Sequence, residues 1–445
     1  MIDYEKDYRE KWLDEVHTIP DFSLNPDQSK AIAAIMDWLV NSNSPYFLLS
    51  GAAGTGKTFT VQDLVNQIDG KIAFTAPTNK ATKVLRSALT SDEYKPICRT
   101  IYSLLGLRME ANGAVKQLSA PEDPVDLSSI KLVVVDEASM VNKTLMREIE
   151  KASNNYGRLR FLFMGDKNQL PPVNEKASLV WSLPLARAEL KQVMRFDNQI
   201  LTLARRIEKL VDHPAPSIKL ENDNDEIEGV WHLPHNTFRQ ALIKAARQED
   251  FSDSSKLVKA IAWRNATVAG LNEITRGQIF DNANENRWMV GDRIILTGPA
   301  ADLDGRNIGC TDDEGTVEKV EITFHPIYQE FMCYQLSVIT DENKRISLWI
   351  LHEQSDLQFR IKQNQMAGEA KLAGRKWKDY WAFVDSFHKV QYGYAITAHR
   401  AQGSTYDSCY VVWNDILLNR NRGEAFRCLY VAATRPKKKL ILGGW

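Results

Sequence analysis

The chain has 445 residues, more than a single hydrophobic core usually serves, so at least two domains are expected. Its 56 Lys and Arg against 57 Asp and Glu give a formal net charge of −1, which excludes a generally basic surface and confines any nucleic acid to a local groove. The five cysteines, Cys98, Cys310, Cys333, Cys409 and Cys428, show no CxxC spacing, so zinc, iron–sulfur and disulfide frameworks are poorly supported and a reducing compartment fits best.

No apolar run is long enough to cross a membrane, and Met1 to Asp7 lack a signal peptide's apolar core, so a cytoplasmic location with no membrane partner is expected. Tyr4, Tyr8, Trp12 and Val16 recur every four residues and predict a short helix over 1–20. After Pro26, Asp27 to Ile35 predict a helix entering the first domain. The apolar run Tyr46-Phe47-Leu48-Leu49 then predicts a buried strand leading into Gly51-Ala52-Ala53-Gly54-Thr55-Gly56-Lys57-Thr58. Between a strand and a helix this is a phosphate-binding P-loop. Its glycines let backbone N–H groups curl around an anion, Lys57 brings a charge to the outer phosphates, and Thr58 offers a hydroxyl to Mg²⁺. The fuel is a nucleoside triphosphate; what it drives is left open by this loop.

Further apolar runs at 71–74, 132–135 and 161–164 alternate with helical stretches, the pattern of an α/β doubly wound parallel sheet whose ligands sit at the carboxyl ends of its strands. Asp136 and Glu137 end the second of these runs, where Asp136 can join the Mg²⁺ shell and Glu137 can polarise an attacking water. Gln169, after the third, can sense the γ-phosphate. Residues 107–129 form an excursion in which Asn112-Gly113 signals a hairpin turn. A second α/β region starts near Leu190, includes a strand at 259–263, resumes at Tyr394, and holds strands at 408–413 and 439–442. Residues 289–390 instead contain strand-like runs separated by turns such as Asp313-Glu314-Gly315, suggesting a small antiparallel barrel. The following stretch sets Lys371, Arg375, Lys376 and Lys378 beside Trp377, Tyr380 and Trp381, which suits a solvated helix face and a nucleic-acid surface about equally. His232 and His235 read as part of a polar loop around Pro234 rather than a metal pair.

The segments 51–58, Val135-Asp136-Glu137-Ala138-Ser139-Met140, Gly165-Asp166-Lys167-Asn168-Gln169-Leu170-Pro171-Pro172, Thr397-Ala398-His399-Arg400-Ala401-Gln402-Gly403-Ser404 and Leu429-Tyr430-Val431-Ala432-Ala433-Thr434-Arg435 stand in the order of the motifs of superfamily-one helicases, and the chain resembles their RecD-like branch from about residue 24 to its end. The resemblance implies two RecA-like P-loop domains with parallel sheets, at 21–188 and at 189–288 with 391–445. It also implies a β-hairpin pin at about 107–129, an SH3-like β-barrel with a helical tower at 289–390, and an N-terminal extension at 1–20.

It further implies ATP and Mg²⁺ as cofactors. Nucleotide contacts would come from Gln28 (reading adenine), Gly51, Ala53, Gly54, Thr55, Gly56, Lys57, Thr58, Gln402 and Gly403, and metal contacts from Thr58 and Asp136. Catalysis would rest on Lys57, Glu137 and Gln169, with Arg195 and Arg435 reaching the γ-phosphate from the second domain. Pro436 follows Arg435 where a small residue is usual. A DNA track falls on Pro77, Thr78, Thr100, Tyr102, Trp263, Asn265, Thr397 and His399, where Tyr102 replaces the usual histidine and Trp263 suits either base stacking or core packing. Single-stranded and forked duplex DNA are the implied partners, beside a single-strand-binding protein or replication and recombination proteins, with the chain acting as a monomer and moving 5′ to 3′. Two other readings remain at this point: a 3′ to 5′ motor of the UvrD type, and a DNA-stimulated ATPase that serves as a nucleotide-gated binding or remodelling switch.

Overall fold

The computed structural model describes residues 24–89, 96–112, 114–120, 125–192, 199–215, 218–225, 227–247, 258–373 and 376–445. The helix expected over 1–20, together with Gly113, Arg195 and Arg375, lies outside them.

The first α/β layer runs through β1 (Tyr46–Gly51), β2 (Lys71–Ala76), β3 (Ile97–Thr100), a hairpin of β4 (Arg108–Asn112) and β5 (Val115–Ser119), then β6 (Ile130–Val135), β7 (Arg160–Gly165) and β8 (Ala186–Leu190). Six of these strands form one parallel sheet in the order β3-β2-β6-β7-β1-β8. The apolar runs build it because successive side chains point to opposite faces and helices cover both. In β6, Val133 and Val135 feed one core with Phe161 and Phe163, whereas Leu132 and Val134 feed the other with Phe74 and Met164. Since β8 pairs with β1, the first sheet extends to Leu190.

The second layer contains β9 (Asp223–Asn224), β10 (Gly229–Leu233) and β11 (Val258–Ala262). An insertion follows with β12 (Arg293–Leu296), β13 (Ala300–Ala301), β14 (Asn307–Gly309), β15 (Glu314–Phe324), β16 (Met332–Thr340), β17 (Arg345–Leu351) and β18 (Val390–Tyr392), after which the layer resumes with β19 (Ala395–Thr397), β20 (Tyr406–Val412) and β21 (Pro436–Gly443). The main sheet is ordered β19-β11-β20-β21-β10-β9 and is parallel except for the short edge strand β9. The insertion makes an antiparallel sheet ordered β17-β16-β15-β12-β18, with β13 and β14 paired beside it.

Two local expectations change. Asp313-Glu314-Gly315 is not a turn: the reversal falls at Thr311 and Asp312, and Glu314 opens β15 opposite Ile295. The buried ammonium group of Lys259, 2.7 Å from the Glu314 carboxylate, holds this acidic residue inside. His232 and Leu233 end a strand and His235 opens the helix His235–Arg247, so Pro234 marks a strand-to-helix junction instead of a loop.

The basic and aromatic stretch becomes the helix Trp377–Asp385, packed on the helix Asp356–Ala373. Tyr380 and Trp381 lie against a cluster of Phe331, Phe383 and Phe387. Lys116 of the β4–β5 hairpin forms an ion pair with Asp385 and places its ammonium 4.8 Å from the Trp381 ring centre. The hairpin is thereby braced by the helix Trp377–Asp385.

Candidate nucleotide cleft and nucleic-acid track

The strand order β6-β7-β1 brings three loops together at one carboxyl edge: the P-loop after β1, Asp136-Glu137 after β6, and Asp166 to Gln169 after β7. Gly54 and Gly56 take φ of +83° and +81°, a region closed to most side chains, which lets the loop fold back before the helix Lys57–Val65 begins. Lys57 Nζ donates to the carbonyls of Gly51 and Ala52 at 2.7 and 3.0 Å, so the lysine lies along the loop. Its charge also reaches Asp136.

Glu137 is held in the left-handed region at φ +52°, uncommon for a residue with a side chain. Its Oε2 is buried and has no hydrogen-bond partner among the described residues. Burial, with the neighbouring Asp136 carboxylate, pushes Glu137 up to about 7, a value suited to a proton acceptor near neutrality. Burial likewise raises Asp136, against the pull of the Glu137 N–H and Lys57.

The second domain closes over this edge through direct hydrogen bonds. Gln402 Nε2 donates to Gln169 Oε1 at 3.1 Å and to Ser139 Oγ at 3.2 Å. Tyr430, on the helix Arg422–Ala433, donates to Asp166 Oδ2 at 2.6 Å, and its hydroxyl accepts from the P-loop N–H of Ala53 at 3.3 Å. Arg427, one helical turn earlier, donates to the carbonyls of Lys167 and Gln169, while Asn168 donates to Glu208 at 2.6 Å. Leu170 inserts into the core of the second domain. Beside the P-loop remains a cavity of about 390 Å³ lined by Ala53 and Gly54 on one side and by Leu201, Thr434 and Lys437 on the other. That volume suits a small-molecule ligand.

Other expected nucleotide residues sit differently. Gln28 is fully buried: Oε1 accepts from the Asn25 N–H at 3.0 Å in a helix-capping box, and Nε2 donates to Thr55 O at 3.4 Å. These bonds tie the incoming helix to the P-loop. Gly403, at φ +75°, lies where a Cβ would be 3.3 Å from Ala81 of the first domain, so its lack of a side chain permits close domain approach. Arg435 is buried and donates to Val431 O and Ser404 O at 2.9 and 3.0 Å, with its charge felt at Glu137. Thr58 starts the helix beside Lys57.

The expected track residues occupy matching places in the two sheets. Ala76 pairs with Thr100 where β2 and β3 end, and Ala262 pairs with Thr397 where β11 and β19 end. Pro77 and Thr78 follow the first pair, and Trp263, Asn265 and His399 follow the second. Thr78, Thr100 and Thr397 each accept a backbone N–H at a helix start, so their hydroxyls also shape these loops. Tyr102 packs in part on the first core, and Trp263 packs on the second, which is the packing half of its expectation. Asn265 is exposed, and His399 Nε2 is 3.7 Å from Glu424.

Tyr430, Arg427, Asp166 and Ser139 are members of the cleft that carried no assigned role in the sequence. Arg427 and Tyr430 stand three apart on one helix, a spacing that puts both on one face. The signal was present, but its target lies more than 250 positions away.

Comparison with known proteins agrees with this geometry. Residues 23–231 match the family described as an AAA domain, and residues 392–442 match the UvrD-like helicase C-terminal domain. An uncharacterised protein of Acanthamoeba polyphaga mimivirus is 23% identical over 94% of this chain and 99% of its own length. The ATP-dependent DNA helicase Dda of Enterobacteria phage T4 is 24% identical over 93% of this chain and 98% of its own. A Bacteroides Pif1 helicase, solved with ADP-AlF3 and single-stranded DNA, shares the fold at a TM-score of 0.51 and 15% identity, covering 95% of this chain and 92% of that one. Two parallel α/β sheets closing on one phosphate loop define a two-domain P-loop fold. In sequence the chain is similar to these helicases, and to Dda along nearly its whole length.

Proposed function

We propose that the chain is an ATP-dependent DNA helicase that moves along single-stranded DNA from 5′ to 3′ and splits the duplex with the β4–β5 hairpin. The observation that carries this reading is the Gln402 bridge. One side chain from the second domain joins the loops after β6 and β7, so a change at the triphosphate alters how the domains sit. The two candidate track segments lie on the outer strand pairs of the same two sheets and shift with them. Only a difference in affinity between open and closed states can move a strand, and the matched edges supply two grips whose spacing depends on closure.

In the closed cleft Lys57 meets the outer phosphates, Glu137 takes the proton of the attacking water, and Gln169 orients that water. Arg435, with Arg195 outside the described residues, stabilises charge on the transferred group. Thr58 and Asp136 form a hard-oxygen donor set that fits Mg²⁺, which would supply further charge at the phosphates. His399, Asn265, Trp263, Thr397, Thr100, Thr78, Pro77 and Tyr102 line the track, and the chain acts as a monomer on forked DNA. Support comes from the Dda and Pif1 likenesses and from Lys116, which seats the hairpin against the tower. Steady-state ATPase with and without single-stranded DNA tests the reading: strong stimulation that vanishes in Glu137→Gln is expected, and full stimulated turnover in that variant removes Glu137 as the base.

A further inference from the structure

The β15 residue Glu314 is enclosed by cations from three parts of the molecule. Its Oε1 is 3.0 Å from Lys80 Nζ, on the first-domain helix Asn79–Leu89. Its Oε2 is 2.7 Å from Lys259 Nζ on β11 of the second domain, and 3.8 Å from Arg293 on β12 of the inserted sheet. Tyr406, which opens β20, adds a hydroxyl 3.1 Å from Lys80 Nζ. Burial alone would raise this carboxyl, but Lys259 and Lys80 bring it down to about 2, so it is ionised throughout the physiological range.

The two lysines stand next to the two halves of the track. Lys80 is two residues beyond Thr78. Lys259 shares β11 with Ala262, the residue before Trp263, and its ammonium also donates to Gly393 O just ahead of β19 and Thr397. Lys83, one helical turn after Lys80, repeats the theme more loosely by pairing with Asp313 at 2.9 Å and Glu342 at 3.2 Å, but is more exposed. One acidic face of the insertion thus docks on the first domain while the same carboxylate is anchored in the second.

We infer that Glu314 is a positioning residue that sets the spacing between the two halves of the strand-binding track, with Lys80 as the arm through which the first domain is gripped. This rests on the track reading above and goes beyond it, because it gives the inserted sheet a mechanical role, the conversion of domain closure into displacement of bound strand. Removal of the arm leaves the nucleotide cleft intact, since Gln402, Tyr430 and Arg427 hold that cleft through other contacts.

The test uses Lys80→Met, which cuts the first-domain arm while Glu314 keeps Lys259 and Arg293. Single-stranded-DNA-stimulated ATP turnover should stay close to wild type. Base pairs opened per ATP on a tailed duplex should fall about tenfold, a size ordinary for coupling between sites. Lys80→Arg should recover part of the loss, because it restores a cation facing Glu314. Parallel loss of ATPase and unwinding in Lys80→Met, or unwinding per ATP left unchanged, would overturn the inference. A wild-type chain that hydrolyses ATP on DNA yet opens no tailed duplex would instead remove the motor reading beneath it.

Discussion

Gln402 of the second domain lies 3.1 Å from Gln169 of the first, amide to amide, with Ser139 completing the bridge at 3.2 Å. All three side chains are nearly or fully withdrawn from solvent, so the bridge has no water to replace it. A buried polar group left unpaired costs about 1–3 kcal/mol. Gln402→Ala should therefore lower kcat for DNA-stimulated ATP hydrolysis about ten- to hundredfold while leaving DNA binding without nucleotide nearly unchanged. Steady-state ATPase and fluorescence anisotropy read the two quantities, and an unaltered kcat would show the bridge to be incidental to turnover.

Glu137 gives a pH signature. A general base works only when ionised, and burial beside Asp136 has moved its ionisation up to about 7. In free enzyme kcat/KM should rise as pH climbs through about 7 and level off above it, since that ratio reports the unliganded protein. A profile already flat from about pH 5 upward would place the working base elsewhere.

Tyr430→Phe removes one hydroxyl that serves both Asp166 and the Ala53 N–H. The ring still fits, but the buried Asp166 loses a donor and the P-loop loses its tie to the second domain. At about 1–3 kcal/mol for such a loss, kcat/KM for ATP should drop roughly five- to hundredfold. Equal values for variant and wild type would confine Tyr430 to packing.

Lys116→Ala cuts the hairpin loose from Asp385 and Trp381. Contacts of this kind contribute about 0.5–2 kcal/mol, so unwinding should slow several-fold with ATP hydrolysis little changed. Removing Glu110 to Lys116 should enlarge the same asymmetry. Equal losses in both activities would make the hairpin a structural brace.

The nucleotide edge was legible because its residues follow apolar strands directly. Gly51 to Thr58, Asp136, Glu137 and Gln169 fall after β1, β6 and β7, and strand order alone gathers them. Long-range partners were not legible: nothing local says that Tyr430 meets Asp166, or that Glu314 meets Lys80 and Lys259. The turn expected at Asp313 to Gly315 failed for that reason, since acidic residues with glycine suggest exposure until a distant lysine pulls one inward. Gln28 adds a contact that no local pattern gives, since its amide also ties the helix cap to the P-loop. Trp263 carries a packing reading beside its track reading, and its partial burial on the second core makes packing a fact while leaving an exposed edge for a strand.

Directed, ATP-driven strand separation is best tested by unwinding of matched duplexes carrying a 5′ or a 3′ single-stranded tail, with and without ATP. Strand release is expected from the 5′-tailed substrate only, and only with ATP. Release from the 3′-tailed substrate alone would contradict the direction, and ATP hydrolysis without release from either would contradict the motor itself.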